Sequence, residues 1–541
     1  MPFFLIKLGK DKLVAWSNKH KNLIFLVFCF VLVFLIYGKT LGGDFVFDDR
    51  HIASGSNTFL LSNLGQIITS PYWNTASGLY RPITLVSYAL NYSLFGNLPW
   101  SFHLLNLMFY AWSGYLIFVL IKKLSKSECL ARFTALLFLV LPIHTEAVAN
   151  IVGRAEILAL FFSLLFWREI IKEKPKTGLA GFWLFLALGS KEIAAAAIPV
   201  GLILFLQKNT GLKHKDWLTI LGSGFLYFGA RLQVLGWNYF SGLEISIVEN
   251  PLKFAPFLPR AATAFKILAM YFKKTFWPFN LCSDYSYNQI PVLKNFLNLP
   301  AIFGLAIFLF FVIVIVVFWK RAPIISGAAA IFVFGFLIIG NIFFATGTIA
   351  GERLMYYPSL GLIIIIGHII ARARENSLSG FLRNLLIVLV LTLAVFYGWR
   401  SHRRSLDWLN EKILFASAAQ CAPNSVLSRS NLGAMYYQVG NLENAEKELM
   451  LAEKIYNGYP KGLNNLGLVY WKKGEKEKAR SYFLKALDFK FPYPGAYENL
   501  ALMALEERNV TEAQKWLTLF YSGDMIAAKT YLGKLMESRS Y

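Results

Sequence analysis

Three carboxylates stand in Asp44-Phe-Val-Phe-Asp48-Asp49-Arg50, directly after residues 22–37, the first apolar run long enough to cross a bilayer. A spanning segment needs no acids just past its end, so these either sit in water or line the mouth of a polar cavity. Adjacent carboxylates repel, which raises one of the two pKa values and suits Asp48 or Asp49 to act as general base toward a hydroxyl. A solvated turn has the same spacing, and the residues alone leave both readings open.

Further candidates recur near other run ends. Arg81, in Leu79-Tyr-Arg-Pro-Ile-Thr84, precedes an amphipathic stretch ending at Pro99. Its guanidinium fork matches phosphate oxygens, with interfacial anchoring as the alternative. Leu141-Pro-Ile-His144-Thr-Glu146 and Gly153-Arg154-Ala-Glu156 place four ionisable side chains where two apolar runs meet, which lipid-facing surface does not explain. Arg154 and Glu156, two apart on a helix, point in different directions and need separate partners. Lys191-Glu192 breaks another apolar stretch, Glu352-Arg353 opens a later one, and Asp284-Tyr-Ser-Tyr-Asn288-Gln289 offers polar groups for a sugar. No Walker loop, dinucleotide fingerprint, His-Glu-x-x-His or nucleophile elbow is present, which argues against a nucleotide-driven pump. The four cysteines are far apart and show neither ligand spacing nor a disulfide framework.

The elements that must position these groups are membrane-like. Of 541 residues, 56% are hydrophobic and only 16% charged, where soluble domains are about a quarter charged. Apolar runs lie near 22–37, 101–121, 133–150, 155–170, 179–190, 193–207, 217–236, 298–319, 323–345, 355–371 and 384–399. Read as eleven spans, they place Lys7 to Lys21, Lys122 to Lys126, Arg168 to Lys176, Lys208 to Lys215, Lys320-Arg321 and Arg372 to Arg374 on the cytoplasmic side. The net charge of +23 is then topological and no nucleic-acid partner is expected. Residues 257–279 carry Lys266, Lys273 and Lys274 and read as an interfacial or re-entrant helix on the outer face. On this threading Asp44, Asp48, Asp49, Arg81, His144, Glu146, Arg154, Glu156, Lys191, Glu192, Asp284, Glu352 and Arg353 share the outer side. The expected organisation is a cytoplasmic N-terminus over 1–21, a membrane domain over 22–400 with outer loops at 38–100 and 237–297, and a different material from 401 to 541.

That last part repeats. Asn431-Leu-Gly, Asn465-Leu-Gly and Asn499-Leu-Ala are spaced by 34 residues, with Ala445, Ala479 and Ala513 in register and Pro460 and Pro494 at the joins. This is the tetratricopeptide signature, a helical solenoid that binds extended peptides or partner helices. An odd number of spans places it outside, beside the acids.

Taken together, Phe45-Val-Phe-Asp48-Asp49-Arg50, Tyr80-Arg81-Pro82, Phe102-His103-Leu-Leu-Asn106, Pro142-Ile-His144-Thr-Glu146, Gly153-Arg154-Ala-Glu156, Lys191-Glu192, Asp284-Tyr-Ser and Glu352-Arg353-Leu-Met-Tyr356-Tyr357-Pro358-Ser359 resemble, in order, the transmembrane-and-tetratricopeptide O-mannosyltransferases of the GT-C class. The resemblance covers the chain from residue 22 through the repeats. It implies an all-α, polytopic GT-C-type bundle followed by the solenoid. It implies transfer of a sugar, mannose in the family, from a polyprenyl- or dolichyl-phosphate carrier to Ser/Thr hydroxyls of a protein contacted by the repeats. The compartment would be a bacterial inner membrane or the endoplasmic reticulum. Asp48 or Asp49 would be the base, and Arg81, Arg154, His144 and Arg353 would hold the donor phosphate. Asp44, Glu146, Glu156, Lys191, Glu192, Asp284 and Glu352 would support them. A divalent ion is compatible with these acids but no spacing points to one. A membrane scaffold for envelope or secretory complexes, or a lipid-linked-sugar transporter, are the competing readings.

Overall fold

The computed structural model describes residues 2–54, 60–74, 78–207, 210–236, 245–375, 380–489 and 492–538. Residues 55–59 and 75–77 of the first outer loop, 237–244 of the later one, and Lys208 lie outside the described residues. Among the described residues there are helices and no strand. Contacts divide the chain into two units.

The first unit comprises Met1–Ser246, Leu252–Ser283 and Val292–Leu414. Its helices are α1 (Pro2–Tyr37), α2 (Pro82–Phe95), α3 (Pro99–Ser125), α4 (Glu128–Val140), α5 (Arg154–Ile170), α6 (Thr177–Ser190) and α7 (Ala197–Leu206). There follow α8 (Asp216–Leu235), α9 (Phe257–Phe276), α10 (Leu299–Val317), α11 (Pro323–Ile339), α12 (Tyr356–Glu375) and α13 (Gly380–Ser405). Every expected apolar run contains a helix, although the one expected over 323–345 stops at Ile339, and the runs are not equal. By length and composition, six segments can cross a membrane: His20–Gly42, Pro99–Ser125, Asp216–Leu235, Leu299–Val317, Glu352–Ala373 and Gly380–Trp408. A seventh is added if α4 and Pro142–Ala149, bent by 53°, count as one. Thr177–Ser190, Glu192–Leu206 and Pro323–Ile339 are shorter apolar helices. The remaining run, α5, carries Arg154, Glu156, Arg168 and Glu169. The charge-bearing helix α5 is buried along most of its length, so Arg154, Glu156 and Glu169 meet protein rather than hydrocarbon.

Exposure separates the two kinds of surface. Leu23, Val27, Val31 and Leu35 form an exposed stripe on α1, and Phe303, Phe310, Ile313 and Val316 stand exposed on α10. Such apolar faces suit lipid contact. Amphipathic α9 packs instead against α10. At their crossing a side chain on Gly304 would collide with the Phe265 carbonyl, so only glycine permits the approach.

The second unit comprises Ile247–Pro251, Asp284–Pro291 and Phe415–Tyr541, so it takes two pieces of the later outer loop and starts past the expected boundary at 401. Its helices pair as α14 (Val426–Gln438) with α15 (Leu442–Ile455), α16 (Pro460–Lys472) with α17 (Lys476–Leu487), and α18 (Pro494–Glu506) with α19 (Val510–Phe520). Helix α20 (Met525–Ser538) closes the row. Fully buried Ala445, Ala479 and Ala513 let the paired helices approach. The loop pieces join the first pair: Tyr287 N–H donates to the Val248 carbonyl (2.8 Å), and Val426 N–H to that of Tyr287 (2.7 Å).

The turn inside each pair shows the repeat at single-residue level. Gly440, Gly474 and Arg508 occupy the same register with φ of 78°, 84° and 61°. Left-handed backbone is nearly free for glycine and costs an L-residue about 1 kcal/mol. Arg508→Gly is therefore expected to stabilise the solenoid by about 1 kcal/mol. A denaturant midpoint for the variant equal to or below the wild-type value would contradict this.

Candidate functional site

The site grows from the turn Phe47–Asp49 after α1. Phe47 has φ 52°, an uncommon angle for a residue with a side chain, and its N–H donates to Glu411 Oε1 (3.2 Å). Arg50 forms an ion pair with the same carboxylate. Glu411 thus fastens the turn from both sides, and the Asp44 N–H donates to the Leu409 carbonyl nearby (2.9 Å).

The two aspartates diverge. Asp49 is fully buried and accepts from Val152 N–H (2.9 Å), Ile151 N–H (3.4 Å) and Val46 N–H (3.4 Å). It ties the first loop to the entry of α5. Burial, helped by the charge of Asp48, pushes its carboxyl up to about 7, against the pull of these N–H groups. Asp48 stays half-buried. Its charge acts on Arg353 and on Tyr72.

A group with a raised folded-state pKa favours folding at low pH, and that contribution disappears as pH climbs through the folded value. Wild type should therefore lose stability relative to Asp49→Asn as pH climbs from about 4 to about 7, by at most about 4 kcal/mol in all. A melting-temperature difference that stays flat between pH 5 and 9 would contradict the buried carboxyl.

Around Asp48 lies a network of ion pairs. Arg81, at the start of α2, donates from Nε and Nη2 to Glu192 Oε2 (3.1 and 2.9 Å), with its guanidinium 5.0 Å from the Tyr72 ring centre. Arg231 of α8 reaches the other oxygen of Glu192 (3.3 Å) and also bonds Tyr227 and the Gly78 carbonyl. Arg353 Nη1 donates to Glu146 Oε1 (2.6 Å) while its N–H takes Oε2 (3.0 Å). Lys191 pairs with Glu156. These pairs feel one another: Glu146, Asp48, Glu156 and Arg81 all act on Arg353, and Glu156, Arg81 and Arg353 on Lys191. Cations Arg81, Lys191, Arg231 and Arg353 and carboxylates Asp48, Glu146, Glu156 and Glu192 thus form one cluster of interacting charges. Arg353 and Arg81 keep 22% and 13% of their side-chain surface accessible, so a ligand can reach them.

Other expected site residues are placed elsewhere. Arg154 is fully buried and donates to Asn106 Oδ1 (2.8 Å), Asn91 Oδ1 (2.9 Å) and the carbonyls of Phe102 (2.9 Å) and Ser87 (3.2 Å). It organises α2, α3 and α5, with no surface to offer a phosphate. His144 is equally buried between Tyr110 (3.1 Å) and Ser359 (2.7 Å). Glu352 is buried and accepts from Cys282 N–H (2.6 Å). Asp44 is exposed. Asp284 belongs to the second unit, where Ser286 and Ser428 hydroxyls donate to it (3.0 and 2.6 Å) along with that of Ser425. Cys29 and Cys129 form no disulfide, whereas Cys282 and Cys421 each take part in one, a correction to the spacing-based reading. Among the described residues no group of three or more His, Cys, Asp or Glu could hold a metal ion.

Arg231, Tyr72 and Glu411 were not expected. A lone arginine inside an apolar run was the available signal for Arg231. The opposite end of the first unit is different in kind. Lys126, Arg321, Arg372 and His368 line a cavity of about 640 Å³ that shares no residue with the charge cluster. Helix α12 runs from one to the other, roughly 25 Å.

A tetratricopeptide repeat model matches residues 460–490, which are α16 and α17 with their turn. Protein O-mannosyl-transferase F38B6.6 of Caenorhabditis elegans is 28% identical over 462 residues, covering 82% of this chain and 64% of that protein. The chain is similar to the transmembrane-and-tetratricopeptide O-mannosyl-transferases. Protein O-mannosyl-transferase Tmtc1 of Drosophila melanogaster is 26% identical (80% and 61% covered), and human TMTC4 27% (75% and 63% covered). The chain spans a little over three-fifths of the length of these relatives.

Proposed function

We propose that this chain transfers a sugar, mannose by analogy with its relatives, from a polyprenyl- or dolichyl-phosphate carrier to a Ser/Thr hydroxyl of a protein outside the cytoplasm. The observation that supports it most is a half-buried carboxylate, Asp48, whose charge is felt by Arg353, which is itself coupled to Arg81. The Asp48 carboxylate takes the hydroxyl proton, the hydroxyl oxygen bonds to the anomeric carbon, and the bond from that carbon to the carrier phosphate breaks. The configuration inverts, because attack and departure occur on opposite faces of the sugar. A phosphate ester leaves without protonation near neutral pH, so guanidinium charge takes the place of a general acid. Asp49 and Glu411 position the turn, while Arg154 and His144 support the helices behind it. Asp284 acts within the second unit, whose repeats bind the acceptor.

The test is reconstitution. Purified full-length chain, supplied with polyprenyl-phosphate mannose and a Ser/Thr peptide, is expected to add one hexose to the peptide by intact mass. A chain that never consumes donor yet pulls down stable partners would support the scaffold. Lipid crossing the bilayer without transfer would support the transporter.

A further inference from the structure

The cavity at the far end of the first unit lies outside the proposed chemistry, and its wall is not that of a lipid-facing surface. Helices α3, α10 and α12, which belong to segments able to cross a membrane, end beside it. Lys126 directly follows α3, Arg321 lies shortly beyond α10, and Arg372 stands near the end of α12. All three side chains are exposed, and among the described residues none of them forms an ion pair. The carboxylate of Glu128, in the same wall, is already held by Arg132 (2.6 Å), Lys122 (3.1 Å) and Lys21 (3.5 Å). Pro323 and Ile324, in the first turn of α11, line the cavity together with Ala322 before them. Ala322 supplies no capping bond and the turn carries no acid, so side chains leave the positive end of that helix uncompensated.

We propose that this cavity binds the phosphate headgroup of an anionic membrane lipid. The orientation of a membrane protein calls for cations beside its span ends, but not for their convergence on one pocket. Two guanidinium groups and an ammonium group beside a helix N-terminus make a phosphate site in chemical terms. The cavity volume, about 640 Å³, lies within the range of about 300–1,000 Å³ usual for small-molecule sites. Its position at the ends of α3, α10 and α12 is the level where hydrocarbon gives way to water. Helices that line it also expose apolar side chains, Leu202 and Leu206 on α7 and Ile369 on α12. Acyl chains can lie along such faces, whereas a free phosphate gains nothing from them. A lipid phosphate held here would tie the turn between α3 and α4 to the turn between α10 and α11 and to the end of α12.

The test uses the full-length chain in detergent micelles with equimolar phosphatidate and phosphatidylcholine of identical acyl chains, and native mass spectrometry to measure the lipid retained. Wild type is expected to retain phosphatidate in preference to phosphatidylcholine. Lys126→Gln, Arg321→Gln and Arg372→Gln should each weaken phosphatidate binding about 5-fold, and the triple variant on the order of 100-fold. Removing three exposed cations from another loop, by Arg168→Gln, Lys174→Gln and Lys176→Gln together, should leave the preference in place. That control separates a site from the general attraction of a basic surface. The preference of wild type carries the test even where the triple variant fails to fold. Equal retention of the two lipids, or equal losses in the cavity and control variants, would overturn the proposal. Displacement of phosphatidate by an equal concentration of glycerol 3-phosphate would make a free phosphate the occupant and overturn the lipid. None of these readouts involves sugar transfer, so the lipid site and the proposed activity stand or fall separately.

Discussion

Asp48→Asn lowers the rate of sugar transfer by about 10²- to 10⁴-fold, the usual contribution of a general base, while donor affinity and melting temperature stay close to wild type. The expectation rests on accessibility. Asp48 is half-buried, whereas Asp49 is closed off and occupied by three backbone N–H groups. Asparagine keeps the size of Asp48 but cannot accept the hydroxyl proton. Asp49→Asn should instead show itself in the pH dependence of stability described above. If Asp48→Asn turned over normally and Asp49→Asn did not, the two roles would have to be exchanged.

Arg81→Ala should cost about 10²- to 10³-fold in kcat, with a smaller change in KM for the donor. Charge grows on the departing phosphate as its bond to the sugar breaks, so a guanidinium there acts mainly on the transition state. The fold should tolerate the change, because Arg231 still pairs with Glu192 when Arg81 is gone. Partial recovery with added guanidinium ion would separate lost charge from lost structure. A rise in KM with kcat intact would mean that Arg81 only anchors the donor. Arg353 is a poorer choice for this experiment, since its removal strips the nearly buried Glu146 of its guanidinium partner.

Much of the architecture is legible in one dimension. Apolar runs mark helices because hydrocarbon and helix cores demand them, and the 34-residue register of Asn431, Asn465 and Asn499 falls on equivalent helices. What composition does not carry is the identity of a partner. Arg154 and His144 stand out in the sequence as ionisable groups amid apolar neighbours, yet the acceptors of Arg154 include two buried asparagines from other helices, Asn91 and Asn106. An ionisable residue that looks reactive and one that is fully satisfied have the same letter. Arg231 was hidden for the converse reason, as one charge in an apolar run whose partner Glu192 lies 39 positions away.

The hydrogen bond from Phe47 to Glu411 joins residues 364 positions apart. During biosynthesis the turn bearing Asp48 leaves the ribosome early, and its fastener is among the last parts of the first unit to follow. A nascent chain halted before residue 411 would carry every apolar helix yet leave that turn unlatched, so competence arrives only as the repeats begin to emerge.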